Sequence, residues 1–190
     1  MYRATLPPVL ILSLFGCACL FVPPTEQRYE KEGLSFTHYS NWRVVDDEPP
    51  KDDPGFRTID VEGPDEAIVM FTFVPPKSGV TLEFFAEVFA EGRLEQLKKW
   101  RFGPLKTEDV TNTSSEPITR RIGGRVQNGI LQRFTIKVLG EVVPHEARFF
   151  MVENKRHQVF IMTQAAAEDL PEMNSAFDLI LDSFSLSDSK

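Results

Sequence analysis

The chain has 190 residues, of which 42% are hydrophobic and 26% are charged, and its formal net charge is −7. This composition is typical of one globular domain with additional segments. The negative charge argues against a surface for nucleic acid or anionic lipid, because such surfaces need clustered cations. The basic runs Lys98–Arg101 and Arg120–Arg121 are short. We therefore expect no nucleic-acid partner.

The first segment of the chain has the features of a targeting signal. Arg3 supplies a positive charge, Val9–Phe15 form an apolar core, and Leu14-Phe15-Gly16-Cys17 has the small residues of a cleavage site. These four residues resemble a bacterial lipobox, in which the cysteine becomes the lipidated first residue of the mature protein. The apolar run Val9–Val22 is shorter than the ~20 residues of a spanning helix. An ordinary signal peptide or an uncleaved anchor is the alternative.

This leader sets the expected domain boundaries. We expect residues 1–16 to be a lipoprotein signal peptide, 17–32 to be a tether, and 33–187 to be the globular domain. Both cysteines, Cys17 and Cys19, lie before the domain. Disulfides therefore cannot stabilise the domain, which must fold on its hydrophobic core. Cys17 is the expected site of lipidation.

An acidic loop divides the first predicted strands. Residues 46–55 carry five carboxylates and three prolines. Carboxylates are the ligands of a hard cation such as Ca²⁺, but the spacing of a calcium loop is absent, so we expect a solvated loop. The strands expected from apolar alternation on either side of it are Leu34–Tyr39, Trp42–Val45, Phe56–Val61 and Ala67–Val74.

A helix is expected next. Thr81 is a typical N-cap, and the helical pattern extends to about Trp100. Its apolar stripe is typical of core packing rather than of a cofactor pocket. The residues of this stripe are Leu82, Phe85, Val88, Phe89, Leu94 and Leu97.

A polar stretch and a group of strands follow the helix. Residues 102–118 predict an irregular segment, within which Asn112-Thr113-Ser114 is a glycosylation sequon. Gly123-Gly124 predicts a hairpin turn. The strands expected here are Arg120–Gln127, Ile130–Val138 and Ala147–Val152.

The last part of the chain predicts a strand, a tight connection and an amphipathic helix. Arg156–Ala165 is rich in aromatic and β-branched residues, as strands are. Pro171 suits the first turn of a helix, where its missing N–H is no loss. The apolar stripe of this helix comprises Leu170, Met173, Phe177, Ile180, Leu181 and Phe184.

Two of the strand patterns predict the layers of the fold. Val69–Phe71 and Val159–Met162 are apolar at consecutive positions, so a sheet that contains them must be covered on both faces. Two helices are available for this. We expect an α+β fold, an α/β/α sandwich in which a largely antiparallel sheet carries one helix on each face.

Both ends of the domain resemble a known family. Tyr29–Val44, with its Gly33-Leu34-Ser35-Phe36 and Trp42, resembles the start of PsbP-like domains, although Ser40 stands where that family often has proline. Ile180–Leu186 resembles the closing helix and Ser-Phe strand of the same domains. DcrB-like lipoproteins and their cytoplasmic relatives share this architecture. The resemblance implies an accessory domain with no shared active site.

Residues suited to catalysis or metal binding are few. The histidines His38, His145 and His157 have no partner at metal-ligand spacing. His145 and Glu146 would form half of an acid–base pair, but their neighbours predict a hairpin tip. The domain has no cysteine, and no serine lies in a nucleophile elbow. We expect no enzyme and no cofactor.

Carboxylates line one side of the last helix. Glu172, Asp178 and Asp182 predict a solvated acidic face or a surface that docks a partner.

The sequence therefore predicts a lipoprotein of the bacterial cell envelope, attached to the membrane through its lipid. Its domain is expected to bind or assist another envelope protein without catalysis. The alternative is a ligand-binding or chaperone-like module that holds an apolar molecule or segment between sheet and helix. This alternative rests on resemblance to the cytoplasmic relatives, some of which chaperone apolar segments. A hydrolase that uses His145 or His157 is a third interpretation.

Overall fold

The computed structural model describes residues 23–46, 56–99 and 107–187. A short 3₁₀ turn at Pro64–Glu66 leads into the fifth strand. The helices and strands in the described part are β1 (Glu26–Lys31), β2 (Leu34–Tyr39), β3 (Arg43–Asp46), β4 (Arg57–Glu62), β5 (Ile68–Val74), α1 (Leu82–Lys99), β6 (Thr107–Ile122), β7 (Arg125–Val138), β8 (Glu141–Glu153), β9 (Gln158–Ala166), α2 (Leu170–Ser183) and β10 (Ser185–Leu186).

These strands form two antiparallel sheets. The larger sheet has seven strands in the order β3-β4-β5-β9-β8-β7-β6, and the smaller has three in the order β1-β2-β10. Strand β9 is central because it pairs with β5 on one side and β8 on the other. All nine of its residues are buried, as its continuous apolar pattern predicts.

Helix α2 and the small sheet cover one face of the large sheet. Phe177 of α2, Phe36 of β2 and Ile161 of β9 belong to one buried cluster. Phe71 of β5 lies at its centre, with ring centroids 5.0 Å from Phe36 and 5.7 Å from Phe184. This face is therefore closed by aromatic rings from three layers.

Helix α1 covers the opposite face. The ring of Phe85 stacks on Phe160 of β9 at 4.4 Å and meets the edge of Phe149 of β8 at 6.2 Å. Met70 and Met162 belong to the same buried cluster. Neighbouring residues of β5 and β9 thus point to different helices, because successive side chains of a strand alternate between faces. The expected sandwich with one helix on each face is confirmed.

Two segments that we expected to be irregular are strands. Residues 26–31, placed by the sequence in the tether, form β1 and pair with β2 along their whole length. Most of the polar stretch 102–118 lies in β6, which pairs with β7. Both are edge strands with largely exposed side chains. Such strands are held by backbone hydrogen bonds, which every residue can form, so they lack the apolar alternation by which a sequence predicts a strand.

Other local expectations are confirmed. Gly123 and Gly124 turn β6 into β7 with φ angles of 53° and 79°, the left-handed conformation that favours glycine. Helix α2 begins at Leu170 with Pro171 in its first turn. Most of the acidic loop (residues 47–55) and the expected helix end at Trp100 lie outside the described residues.

Candidate functional surfaces

The structure places the three histidines in separate environments. His38 on β2 is buried, and its Nδ1 lies 2.9 Å from the carbonyl oxygen of Tyr39. His157 lies edge-on to the ring of Phe73 at 5.9 Å, and its buried Nδ1 has no hydrogen-bond partner among the described residues. Among the residues that the structure describes, neither imidazole contacts a nucleophile or a second titratable group.

His145 does not occupy a hairpin tip. It lies within β8, paired with Phe134 of β7 and Ala166 of β9, because β8 begins at Glu141 and includes Pro144. Its ring stacks on Phe134 at 5.4 Å. Since β8 continues for eight further residues to Glu153, which pairs with Gln158, His145 and His157 lie at opposite ends of the sheet.

Two of the α2 carboxylates, Asp178 and Asp182, are paired with an arginine. Arg120 of β6 reaches across to the helix, where its guanidinium lies 2.8 Å from Asp178 and 3.4 Å from Asp182. The arginine side chain is 24% exposed, whereas both carboxylates are at least half exposed. This part of the acidic face joins the helix to the edge strand, which weakens its assignment as a docking surface.

A ladder of charged groups crosses β6, β7 and β8 on the same face. Arg133 donates to Glu116 at 2.7 Å and to Glu146 at 3.0 Å, and these hydrogen bonds raise the pKa of Arg133. Glu146 also accepts from Arg148 at 3.2 Å, and Arg148 donates to Asn174 of α2 at 3.0 Å. Glu146 is therefore held between two arginines, which makes it a structural ion pair rather than a general base.

A second acidic group lies where α2 begins. Burial raises the pKa of Glu66, and repulsion from Asp169 and then Asp65 raises it further. Asp65 and Glu66 both have positive φ angles, 51° and 62°. In the described part of the chain, no three histidine, cysteine or acidic residues are grouped so that they could hold a metal ion.

Helix α1 exposes part of its apolar surface. Val88, which the sequence places in the buried stripe, is 44% exposed, and Phe84 one turn earlier is 56% exposed. The buried residues of this stretch are instead Phe85 and Ala86. The consecutive apolar residues of α1 do not all fit against one sheet face, so the helix turns Phe85 inward and leaves Phe84 and Val88 outside.

Two open grooves follow the seam between α1 and the strands β6 and β7. One, of about 490 Å³, is lined by residues that include Leu82, Ile118 and Ile130. The other, of about 280 Å³, includes Ala90 and Asn112. Asn112, the asparagine of the sequon, donates to the carbonyl oxygen of Ala90 at 3.4 Å. The seam is a shallow surface feature and not an enclosed cavity.

The expected lipidation site, Cys17, lies outside the described residues. Among the helices that are described, none has the length and apolar character needed to cross a membrane.

Comparison with known proteins finds similarity at the level of structure only. No protein-family profile matches the sequence, and no curated protein matches it. A solved structure of a cyanobacterial PsbP from Synechocystis is similar at 18% identity and a TM-score of 0.49, covering 92% of this chain and 99% of that one. LpqN of Mycobacterium tuberculosis, involved in cell envelope biogenesis, is similar at 11% identity and a TM-score of 0.42, covering 86% and 91%.

A protein from Bacteroides thetaiotaomicron is similar at 8% identity and a TM-score of 0.47, covering 85% of this chain and 48% of the other. PsbP is the family that the sequence resembles, and the α+β fold expected from that resemblance is the fold described above. None of these similarities reaches a TM-score of 0.5. They therefore say nothing about activity or partners.

Proposed function

We propose that this chain is a membrane-anchored, non-catalytic protein of the bacterial cell envelope, whose domain binds or assists another envelope component. The observation that carries the proposal is the position of Cys17, which closes a lipobox-like motif shortly before β1 begins at Glu26. The chain between these residues spans at most about 30 Å when fully extended. A lipid on Cys17 would therefore hold the domain close to the bilayer surface.

The polar groups of the domain support a role without catalysis. The titratable side chains that the sequence suggests for chemistry have structural contacts instead. His145 stacks on Phe134, and Glu146 lies between Arg133 and Arg148. The exposed apolar side chains of Phe84 and Val88 favour contact with another macromolecule.

The alternative, an apolar ligand held between sheet and helix, has less support. Phe71, Phe149 and Phe160 from the sheet are fully buried. The ring of Phe71 packs on Phe184 at the end of α2, and the rings of Phe149 and Phe160 pack on Phe85 of α1. A guest molecule would have to displace these core contacts. The grooves beside α1 lie outside the core, so they are not the predicted binding space for an apolar ligand between sheet and helix.

Fatty-acid labelling in a bacterial host tests the anchor. We expect labelling of the full chain and of Cys19→Ser, and loss of labelling and of membrane attachment in Cys17→Ser. Several acyl chains are needed for stable attachment, since one chain binds a bilayer only marginally. Labelling that persists in Cys17→Ser, or that is lost in Cys19→Ser, would contradict the assignment of Cys17.

Site-specific photo-crosslinking tests the binding role. A photoreactive residue at Phe84 on α1 is compared with one at Ser175, which is exposed on α2 on the opposite face. We expect a discrete crosslinked product from Phe84 in intact cells and none from Ser175. The same products from both positions, or none from either, would argue against a binding surface on α1.

A further inference from the structure

Three turns of the two sheets converge at the C-terminal end of α2. The N–H of Gly123 in the β6–β7 turn donates to a carbonyl of the last helical turn at 3.0 Å. The side chain of Asn154 in the β8–β9 turn donates to a carbonyl of β10 at 3.3 Å. Gly33 in the β1–β2 turn accepts from the N–H of Ser187 at 2.8 Å. These bonds fix the three turns against one another.

Two of these turns carry clustered cations. Both turns project from the same end of the large sheet, because β7 and β8 pair in register between them. Since neighbouring strands lie about 4.8 Å apart, the two turns are separated by roughly 10 Å. All four cationic side chains are exposed. We call this surface the basic apex, formed by Arg121, Arg125, Lys155 and Arg156.

The basic apex is poorly neutralised. Within the described part of the chain, none of its four side chains forms an ion pair. Arg121 donates to the carbonyl oxygen of Gly124 at 3.1 Å. The preceding residue, Arg120, is by contrast neutralised by two carboxylates. The apex therefore has local positive charge in a chain whose net charge is −7, which favours an anionic partner.

The apex also contains an exposed apolar side chain. Val126 follows Arg125 on β7 and is 67% exposed. A polymer of phosphate groups has nothing apolar to place against Val126, whereas an acidic polypeptide supplies both carboxylates and apolar side chains. Three of the four cations are arginines, whose planar guanidinium binds a carboxylate through two parallel hydrogen bonds.

The tether enters the domain at the end of the β1–β2 hairpin that lies away from the apex. Thr25 exchanges hydrogen bonds with Ser40 at 2.7 and 3.1 Å, so the chain enters the β1–β2 hairpin at its open end. Gly33, at the closed end of the same hairpin, adjoins the apex. The six residues of β1 separate the two ends by roughly 20 Å. The apex is therefore on the side of the hairpin away from the tether.

We infer that the basic apex docks an acidic polypeptide segment of another envelope protein. This inference rests on the proposed function, because it specifies the chemistry of the component that the domain binds. The carboxylates of the partner pair with the apex arginines and lysine, and its apolar side chains cover Val126.

The test measures binding of a fluorescein-labelled peptide of repeated Glu-Glu-Val triplets to the full chain in detergent micelles. The apex variant carries Arg125→Gln, Lys155→Gln and Arg156→Gln. The matched control removes the same charge from three exposed cations elsewhere, through Arg28→Gln, Arg43→Gln and Lys137→Gln. Far-UV circular dichroism checks that both variants fold. If the apex variant does not fold, the single variant Arg156→Glu replaces it.

We expect the apex variant to weaken peptide binding about tenfold, because three exposed charge pairs each contribute a few-fold. The control should stay within about twofold of the unmodified chain, since it leaves the apex intact. Val126→Ser should weaken binding of the peptide and leave binding of inorganic polyphosphate unchanged. Raising the salt concentration should weaken binding of the peptide.

Other outcomes would overturn the inference. Absence of peptide binding, or equal losses in the apex and control variants, would show that the apex is not a docking surface. Tighter binding of polyphosphate, or of vesicles of phosphatidylcholine and phosphatidylglycerol, would show that the partner is not a polypeptide. Measuring both properties on the unmodified full chain separates the two proposals. Peptide binding without fatty-acid labelling overturns the anchor alone, and labelling without peptide binding overturns the apex alone. Cys17→Ser should lose labelling and keep peptide binding.

Discussion

Phe177 offers the most direct test of how α2 packs. The side chain is 1% exposed, and its ring meets the ring of Trp42 edge-on at 5.6 Å. Phe36 and Ile161 belong to the same cluster, so residues from both sheets surround it. Replacement by alanine would leave a cavity between α2 and the two sheets. Because the sheets pack against each other in the same cluster, neither can move in to fill the cavity.

A buried phenylalanine truncated to alanine costs about 3–5 kcal/mol, because a cavity adds to the lost transfer free energy. A typical domain has a free energy of unfolding of ~5–15 kcal/mol, so Phe177→Ala should remove a large part of it. Ser175→Ala, two residues earlier on the exposed side, should change it by about 0.5 kcal/mol or less. Asp178→Ala is intermediate, at about 0.5–1 kcal/mol, because its carboxylate is paired with Arg120 at 2.8 Å.

Urea denaturation of the full chain carrying Cys17→Ser, followed by circular dichroism, measures these differences without a lipid anchor. The variants should share one slope against urea concentration and differ in midpoint. If Phe177→Ala is as mild as Ser175→Ala, the helix does not pack through this stripe, and the described interface between α2 and the sheets is wrong.

Two further changes test other parts of the domain. In Gly63→Ala the new methyl carbon would lie 2.5 Å from Cε2 of Trp42. We expect a loss of about 1–3 kcal/mol in urea denaturation and an altered near-UV circular dichroism signal, and an unchanged stability would contradict the packing of Trp42 on this turn. Burial, Asp169 and Asp65 raise the pKa of Glu66, so the folded state binds its proton more tightly than the unfolded state does. Protonated Glu66 therefore contributes to the free energy of unfolding. This contribution is fully present below the pKa that Glu66 has in the unfolded state, and it is lost as the pH rises through the pKa of the folded state. Glu66→Gln should be more stable than the unmodified chain at pH 7 and no more stable at about pH 3–4; a stability difference that is the same at both pH values would refute this.

The sequence predicts those parts of the fold in which side-chain pattern and burial agree. The unit of β9, connection and α2 follows from a continuous apolar strand, Pro171 at the helix start and an apolar stripe at helical spacing. Gly123-Gly124 predicts its turn because few other residues adopt two successive positive φ angles. The two-sided apolar patterns of β5 and β9 predict a layer on each face of the sheet.

The edge strands, and the residues of α1 that face the sheet, have no such pattern of side chains in the sequence. β1 and β6 pair through backbone groups that every residue carries, so their polar side chains give no periodic signal. Which residues of the apolar run in α1 point inward depends on the sheet face beneath the helix, and Val88 is consequently exposed.

The candidate surfaces depend on the tertiary structure for the same reason. Arg120 and Asp182 are 62 positions apart in the chain, and the sequence contains no signal that they pair. The cations of the basic apex lie in two turns that separate strands bring together. The sequence by itself determined the layers of this domain, because burial leaves a local pattern. Only the tertiary structure decided which polar and charged groups meet, because those contacts join distant parts of the chain.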